Sequence, residues 1–396
     1  MIHSAAAGAA RRSAAFPYRP DIDGLRGVAV LAVLVTHLDP RWLPGGFSGV
    51  DIFFVISGYV VCGSLLAHGQ EPPLRCLGGF YLRRIRRLLP NLLACLGLTA
   101  LAVALLVPPG GSGPAFLTAT KALFGWSNNQ LLGQTDYFAQ DAKLNPFLHT
   151  WSLGVEEQFY LVFPLLLILS GFGRRRTLPL LALLVLSSLL ISFWWSLSQP
   201  SAGFYLMPSR FWELASGALL LLAERQGQLN RFGRGRAWRL AGGALLLLAL
   251  VASQEGRGFP APGALPAVLG TLLVLRAGTD PQGRFLPGRW LERLLIGLGL
   301  ISYSLYLWHW PVITLQRWTI GIDQPAQKLL ALGLSLLLAL LAWSLVERPL
   351  RRLVLPSSWQ VGLALAALLA TWAGICLLYT SPSPRDLSTS RMPSSA

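Results

Sequence analysis

Arg26 and His37 close the two ends of one apolar run, RGVAVLAVLVTH. Ionisable groups are costly inside an apolar segment and mark functional positions by default. On a helix, the two side chains stand about 16 Å apart along the axis. His149 in FLHTWSLGVEEQFY and His309 in YSLYLWHWP also keep apolar company, whereas His3 and His68 fall in a tail and a loop. Imidazole titrates near neutral pH and can take the proton of a hydroxyl. A neighbouring carboxylate would orient such a ring, and Asp51 and Glu156 are placed to supply one. The bland role for a single intramembrane histidine is a structural hydrogen bond; several at similar depth point to chemistry. Zinc held by His37, His149 and His309 is disfavoured, because no close-spaced ligand pair such as HxxxH is present. No metal site is expected.

Three further stretches carry polar or small residues. Arg210 and Glu213 in MPSRFWELASG are three apart, on one helix face, and read as a structural ion pair. FYLRRIRRLLP gathers Arg83, Arg84, Arg86 and Arg87. Guanidinium grips phosphate in a bidentate way, but arginines also anchor cytoplasmic loops, and charge alone leaves both readings open. In GGFSGVDIFFVISGY, Gly45, Gly46 and Gly49 permit close backbone approach or positive φ. Tight helix packing through small residues, Ser57 and Gly58 included, is the equal alternative.

The elements that must position these residues are apolar. The chain has 396 residues, 53% of them hydrophobic and 13% charged. A soluble domain carries about a quarter charged residues, so a large soluble protein is excluded in favour of an all-α polytopic integral membrane protein. Runs long enough to cross a hydrocarbon core of about 30 Å recur at 22–39, 48–68, 88–107, 150–170, 178–197, 205–223, 237–253, 263–276, 294–316, 328–346 and 360–379. The eighth is short, so 10–11 transmembrane helices are expected. The formal charge of +16 sits in clusters between these runs. Every second loop is basic, beginning with Arg11, Arg12 and Arg19 before the first run, which places the N-terminus in the cytoplasm. This topology, rather than nucleic-acid binding, accounts for the charge. On it, Arg26 lies near the cytoplasmic end of its span, and His37, His149 and His309 lie towards the outer side.

The loop from Pro108 to Leu148 contains FLTATKALFGWSNNQ, too short and polar to span, and reads as interfacial or re-entrant. Residues 1–17 have no apolar signal-peptide core and read as a flexible cytoplasmic tail. Cys62, Cys76, Cys95 and Cys376 have no metal-like spacing and read as small buried thiols, not a disulfide framework. Residues 380–396 are Ser/Pro-rich and expected to be disordered, read as the scar of a truncation in preference to a natural tail.

The stretches YRPDIDGLRGVAVLAVLVTH, GGFSGVDIFFVISGYV, FYLRRIRRLLP, HTWSLGVEEQFYLVFPLL, PSRFWELASGALL, ISYSLYLWHWPV and VERPLRR together resemble the acyltransferase-3 family of membrane O-acyltransferases. The resemblance covers most of Tyr18 to Arg352 and implies a transmembrane acyltransferase domain over 18–355, with an additional helix over 356–379. It implies transfer of an acyl group, usually acetyl, from cytoplasmic acyl-CoA as co-substrate to hydroxyls of an extracytoplasmic glycan. Lipopolysaccharide O-antigen, peptidoglycan and exopolysaccharide are the acceptor classes, and the bacterial inner (plasma) membrane is the location. No bound cofactor is implied. The family's Arg-x10-His pattern falls on Arg26, which would contact the donor, and His37, which would be the base or acyl-transfer centre. Its RxxR pattern falls on Arg83–Arg87 and would bind CoA phosphates, with Glu156 orienting a base or the acceptor. Many glycan-modifying relatives continue past an eleventh span into an SGNH-type domain, and the expectation here is of a chain cut short before such a domain. A transporter or flippase, or an idle membrane scaffold, are the rival readings. The first is disfavoured by the absence of an evident inverted repeat, and a CoA-dependent activity separates the enzyme from both.

Overall fold

The computed structural model describes residues 18–134, 143–172, 175–230, 235–279, 284, 288–352 and 357–380. The expected tails, and the expected boundary at 355/356, fall outside these residues, apart from Thr380 at the end of the last helix. Among the described residues every regular element is helical. The helices are α1 (Pro20–Leu38), α2 (Gly49–Leu66), α3 (Pro73–Leu106), α4 (Pro109–Ala122), α5 (Ser127–Gln134), α6 (Thr150–Leu169), α7 (Thr177–Ser198) and α8 (Pro200–Tyr205). They continue with α9 (Met207–Arg225), α10 (Arg236–Ala252), α11 (Leu265–Ala277), α12 (Arg289–Leu300), α13 (Ser302–Thr319), α14 (Pro325–Ala342), α15 (Arg348–Arg352) and α16 (Ser357–Thr380). A 3-10 turn, Gly46–Ser48, leads into α2, and a π-helical turn, Trp343–Glu347, joins α14 to α15.

Each of the eleven expected runs coincides with a helix or a broken pair. By length and hydropathy alone six helices can cross a bilayer: α2, α3, α6, α7, α14 with its extension, and α16. The pair α12–α13 makes a seventh. The helices that such a count loses include two that are rich in charged residues. α1 bears Asp21, Asp23 and Arg26; α9 bears Arg210, Glu213, Glu224 and Arg225.

Three expectations change in detail. The run 294–316 is not one straight span: α12 and α13 meet at a bend of 73°. Ile301, between them, has φ −99° and ψ 5°, the sparsely populated bridge region rather than helix. The third run begins at Pro73, so the four arginines lie inside α3 and not in a loop before it. From Arg87 to Leu106 the helix rises about 29 Å, the depth of a hydrocarbon core, which leaves Arg83–Arg87 at its edge. The loop after α3 contains two helices, α4 and α5, each too short to span.

The chain divides into two compact units, Met1–Arg83 with Val155–Tyr306, and Arg84–Gly154 with Leu307–Ala396. In the first, α9 packs on α2 and α7, α12 on α1, and α10 on α11. Two of these crossings are glycine-dependent. A Cβ on Gly58 would overlap the Leu214 carbonyl oxygen, and one on Gly217 the Val55 carbonyl oxygen, so α2 and α9 touch backbone to backbone. Gly27 and Gly299 do the same where α1 crosses α12, against Leu295 and Asp23. Gly46 and Gly49 abut the backbone of α1 at Ala32 and Ala29, and the Gly45 N–H donates to the Leu250 carbonyl at 2.9 Å. The glycine-rich stretch thus serves close packing through close backbone approach, and the two alternatives merge. In the second unit α16 packs on α4.

Enclosure differs along the chain. In α2, 72% of the apolar window is buried, whereas in α16 only 11% is, leaving α16 an apolar, outward-facing helix suited to lipid. Gly217→Val is expected to destabilise the protein by about 3 kcal/mol through overpacking. Gly243→Val, where a Cβ meets nothing within 4 Å, should leave stability unchanged; thermal unfolding of both variants in detergent reads the difference.

Candidate active site

α1 carries the first pair. Arg26 is largely buried and its Nη1 lies 3.4 Å from Asp23 Oδ1, one turn earlier. His37 sits half-buried in the last turn of the same helix. Just beyond it the buried Asp39 accepts three bonds from Arg41, from the backbone N–H at 3.0 Å, Nε at 2.9 Å and Nη2 at 2.7 Å. These bonds fix the chain as it leaves the helix. At the start of α1, Arg19 is bound by Asp21, donates to Tyr59 Oη at 2.7 Å and to the Leu275 carbonyl at 2.6 Å. Tyr59 in turn donates to Glu224 at 3.1 Å, and Arg276 donates to the other oxygen of Glu224 at 3.1 Å. This network ties α1, α2, α9 and α11 together.

Deeper in the first unit, Arg210 is 1% exposed and is held by three acceptors. Its Nη1 donates to Asp51 Oδ1 at 2.7 Å and to Glu213 Oε1 at 2.8 Å, and its Nε donates to the Phe204 carbonyl at 3.0 Å. The rings of Phe54, Phe204 and Phe259 lie 5.9, 4.9 and 5.2 Å from the guanidinium carbon. The expected pair of Arg210 and Glu213 is therefore one side of a triad. Asp51, expected among the catalytic carboxylates, is its other side.

Glu156 belongs to a third cluster. The Tyr160 hydroxyl donates to Glu156 Oε2 at 2.7 Å, and Ser57 Oγ lies 2.7 Å from the same hydroxyl. A phenol has one proton to give. With that proton on Glu156, Ser57 is the donor to Tyr160, and the three form a directed chain from α2 to the carboxylate on α6.

The other histidines lie in the second unit. His149 and His309 are 4% and 1% exposed, and their rings meet edge to face with centroids 6.1 Å apart. Pro311 has no N–H to give to the Leu307 carbonyl, four residues earlier. Cys95 Sγ takes that carbonyl instead, at 3.4 Å. The two tryptophans flanking His309 are anchored as well. Trp308 Nε1 donates to Asn91 Oδ1 at 3.1 Å, and Trp310 Nε1 to the Asn145 carbonyl at 2.8 Å. His309 is thus held in a helix whose register is locked on both sides.

On α3, Arg83, Arg86 and Arg87 share one helix face by their spacing, and all four arginines are half-buried. The Arg87 Nε is buried with no hydrogen-bond partner among the described residues. A buried donor left unsatisfied is costly, so a site for an anionic group is chemically apt there. Among the described residues no three His, Cys, Asp or Glu side chains could share a metal ion.

The three histidines are divided between the two units, His37 in the first, His149 and His309 in the second. Sequence reasoning missed Tyr160, Tyr59 and the hydrogen-bonding role of Ser57. Tyr160 stands four residues after Glu156, the spacing at which helical side chains meet, and that signal could have found it. Tyr59 and the Ser57 partnership join helices distant in sequence and had no local signal.

A family profile described as an acyltransferase domain matches residues 19–373. A candidate membrane-bound transacylase of Komagataeibacter xylinus is 35% identical over 83% of this chain and 82% of its own length. A peptidoglycan O-acetyltransferase of Listeria monocytogenes is 29% identical over 85% of this chain and 56% of its own length. An O-acetyltransferase of Staphylococcus aureus is 30% identical over 85% and 57%. The chain spans about half the length of these two O-acetyltransferases. No solved structure matches it.

Arg210→Ala would leave Asp51 and Glu213 buried without their cation. A loss of about 3–5 kcal/mol is expected, read as unfolding at lower denaturant concentration in micelles. Glu156→Gln, which keeps an acceptor for Tyr160, should unfold within about 1 kcal/mol of the unaltered protein.

Proposed function

Because the chain belongs to the acyltransferase-domain family over residues 19–373, we propose that it moves an acyl group, acetyl in the first instance, from cytoplasmic acyl-CoA to a hydroxyl of an extracytoplasmic glycan. The observation that carries this reading is α1: one helix with a largely buried guanidinium near its start and an imidazole in its last turn. The helix rises about 28 Å from end to end, close to the thickness of a hydrocarbon core. One helix therefore offers an imidazole near one face of the membrane and a guanidinium about 16 Å along the axis from it, about a third of the way in from the other face.

In this reading the N-terminus is cytoplasmic, by the alternation of basic loops. The arginines of α3 hold the CoA phosphates, and the unpartnered Nε of Arg87 supports that role. Arg26 contacts the donor. His37 accepts the proton of the acceptor hydroxyl; the oxygen attacks the thioester carbonyl, the C–S bond breaks, and the thiolate takes the proton from the imidazolium. The products are the O-acyl glycan and free CoA thiol. Glu156, oriented by Tyr160, positions the acceptor hydroxyl or the base. His149 and His309 are the second candidates for a proton-accepting pair. Asp51, Arg210 and Glu213 hold the scaffold.

The acceptor is a cell-envelope glycan. The naming of relatives for O-acetyl transfer, one of them for peptidoglycan, supports this class. A bacterial inner membrane meets the need for acyl-CoA on one side and such a glycan on the other.

With purified protein in micelles, labelled acetyl-CoA and a mixed glycan pool, transfer is expected from the unaltered protein. His37→Ala should reduce it about 10²–10⁴-fold, the usual worth of a general base. Arg87→Gln should raise the KM for acetyl-CoA about 10–100-fold while leaving kcat near its original value, the worth of a hydrogen bond to a charged group. Equal transfer by His37→Ala would remove His37 from the mechanism.

A further inference from the structure

A groove of about 1720 Å³ opens where α6 turns into α7, bounded on its far side by the residues that follow α9. Its polar rim is Arg175, Arg176, Ser170, Gln226 and Gln228, and its walls are apolar, with Leu169 and Leu180 prominent. Among the described residues no Asp or Glu lines it. Arg175 and Arg176 are exposed, and neither pairs with a carboxylate among the described residues. The nearby Glu224 is already engaged by Arg276 and Tyr59.

Described residues on both sides of the groove are held by hydrogen bonds. The Phe172 N–H donates to the Leu167 carbonyl at 2.8 Å, and the Thr177 hydroxyl to the Ser170 carbonyl at 3.1 Å. Gly171 and Phe172 both take positive φ, 89° and 54°, a conformation a bulky residue adopts only when its surroundings impose it. Across the groove, the Gln228 N–H donates to the Ala223 carbonyl at 3.0 Å, which fixes the strand of chain that carries both glutamines.

Because α6 and α7 are both long and apolar enough to cross a bilayer, their connection lies at a membrane face whichever way the chain is oriented. The groove then continues into an apolar stripe. Leu169 is 85% exposed, and Leu183, Leu186 and Leu190 follow Leu180 along the outward side of α7. Cations at the membrane surface above a lipid-facing apolar track match one ligand chemistry: a phosphate joined to acyl chains. Two guanidiniums without a carboxylate favour a net anionic head over a zwitterionic one, whose ammonium would find no partner.

We infer that this groove binds one anionic phospholipid, its phosphate held by Arg175 and Arg176 with the Gln228 amide on the head group, and its acyl chains against Leu169, Leu180 and Leu183. The positive charge alone would serve topology; a rim of donors without a carboxylate, set above an apolar track, goes further than topology requires. The site is independent of the acyl-transfer chemistry.

The test uses the full chain in micelles, titrated with phosphatidylglycerol, phosphatidylcholine, inorganic phosphate or coenzyme A. Native mass spectrometry reads retained ligand, and thermal unfolding reads stabilisation. One phosphatidylglycerol should be retained and should raise the unfolding temperature, and phosphatidylcholine should do neither. The double variant Arg175→Gln/Arg176→Gln should bind at least about 10-fold more weakly, and Arg175→Lys/Arg176→Lys should fall between, since charge is kept and the bidentate fork is lost. Gln228→Ala leaves net charge and topology untouched and should also weaken retention, which keeps the test valid if the double variant misfolds. Equal retention of phosphatidylglycerol by Gln228→Ala and by a folded double variant would overturn the inference. Equal retention of phosphatidylcholine, or displacement of the lipid by coenzyme A or inorganic phosphate, would overturn it too.

Discussion

A guanidinium with almost no exposure sits where α2 crosses α9, and much of the first unit is organised by the need to keep it paired. A charge taken out of water is tolerated only when partners of good geometry surround it. Arg210 has them: Asp51 from α2, Glu213 from its own helix, the Phe204 carbonyl, and three aromatic rings. About two turns further along the same two helices, Gly58 and Gly217 let the backbones touch. The ion pairs and the glycine crossing thus act on the same helix pair, and both fix the register of α2 on α9.

That register has consequences for the polar groups nearby. Ser57 precedes Gly58 on α2, so the crossing sets where its hydroxyl points, and it points at Tyr160 on α6. Tyr160 then orients Glu156. A carboxylate expected to take part in proton transfer is therefore positioned through a hydroxyl, a phenol and a glycine contact. The second unit solves the corresponding problem differently. Pro311 frees a carbonyl, Cys95 binds it, and the tryptophans on either side of His309 are tied by their indole N–H groups. Both units hold imidazole or carboxylate chemistry in helices whose rotation is fixed by bonds made elsewhere.

Much of the fold was legible because hydrophobic length is a local signal. A run of apolar residues between arginine clusters specifies a span without knowledge of its neighbours. The bend at Ile301 was not legible, since it lies inside an uninterrupted apolar run and arises where Gly299 meets Asp23 of a distant helix. The length of α3 was masked for the opposite reason: arginines lower the hydropathy of a helix that continues through them. At the candidate site, Arg210 with Glu213 could be read from a spacing of three. Asp51 as their partner could not, because 159 residues separate it from Arg210 and no spacing rule reaches that far. Types of residue were readable, and so were local pairs; the tertiary pairings were not.

The proposed transfer of an acyl group from one membrane face to the other is tested most directly by sidedness in sealed proteoliposomes of uniform orientation. Labelled acetyl-CoA is supplied only at the face bearing Arg83–Arg87, with the glycan enclosed at the opposite face. Label on the enclosed glycan, absent with His37→Ala, is the expected result. Label appearing only when donor and glycan share a face would contradict a transmembrane transfer.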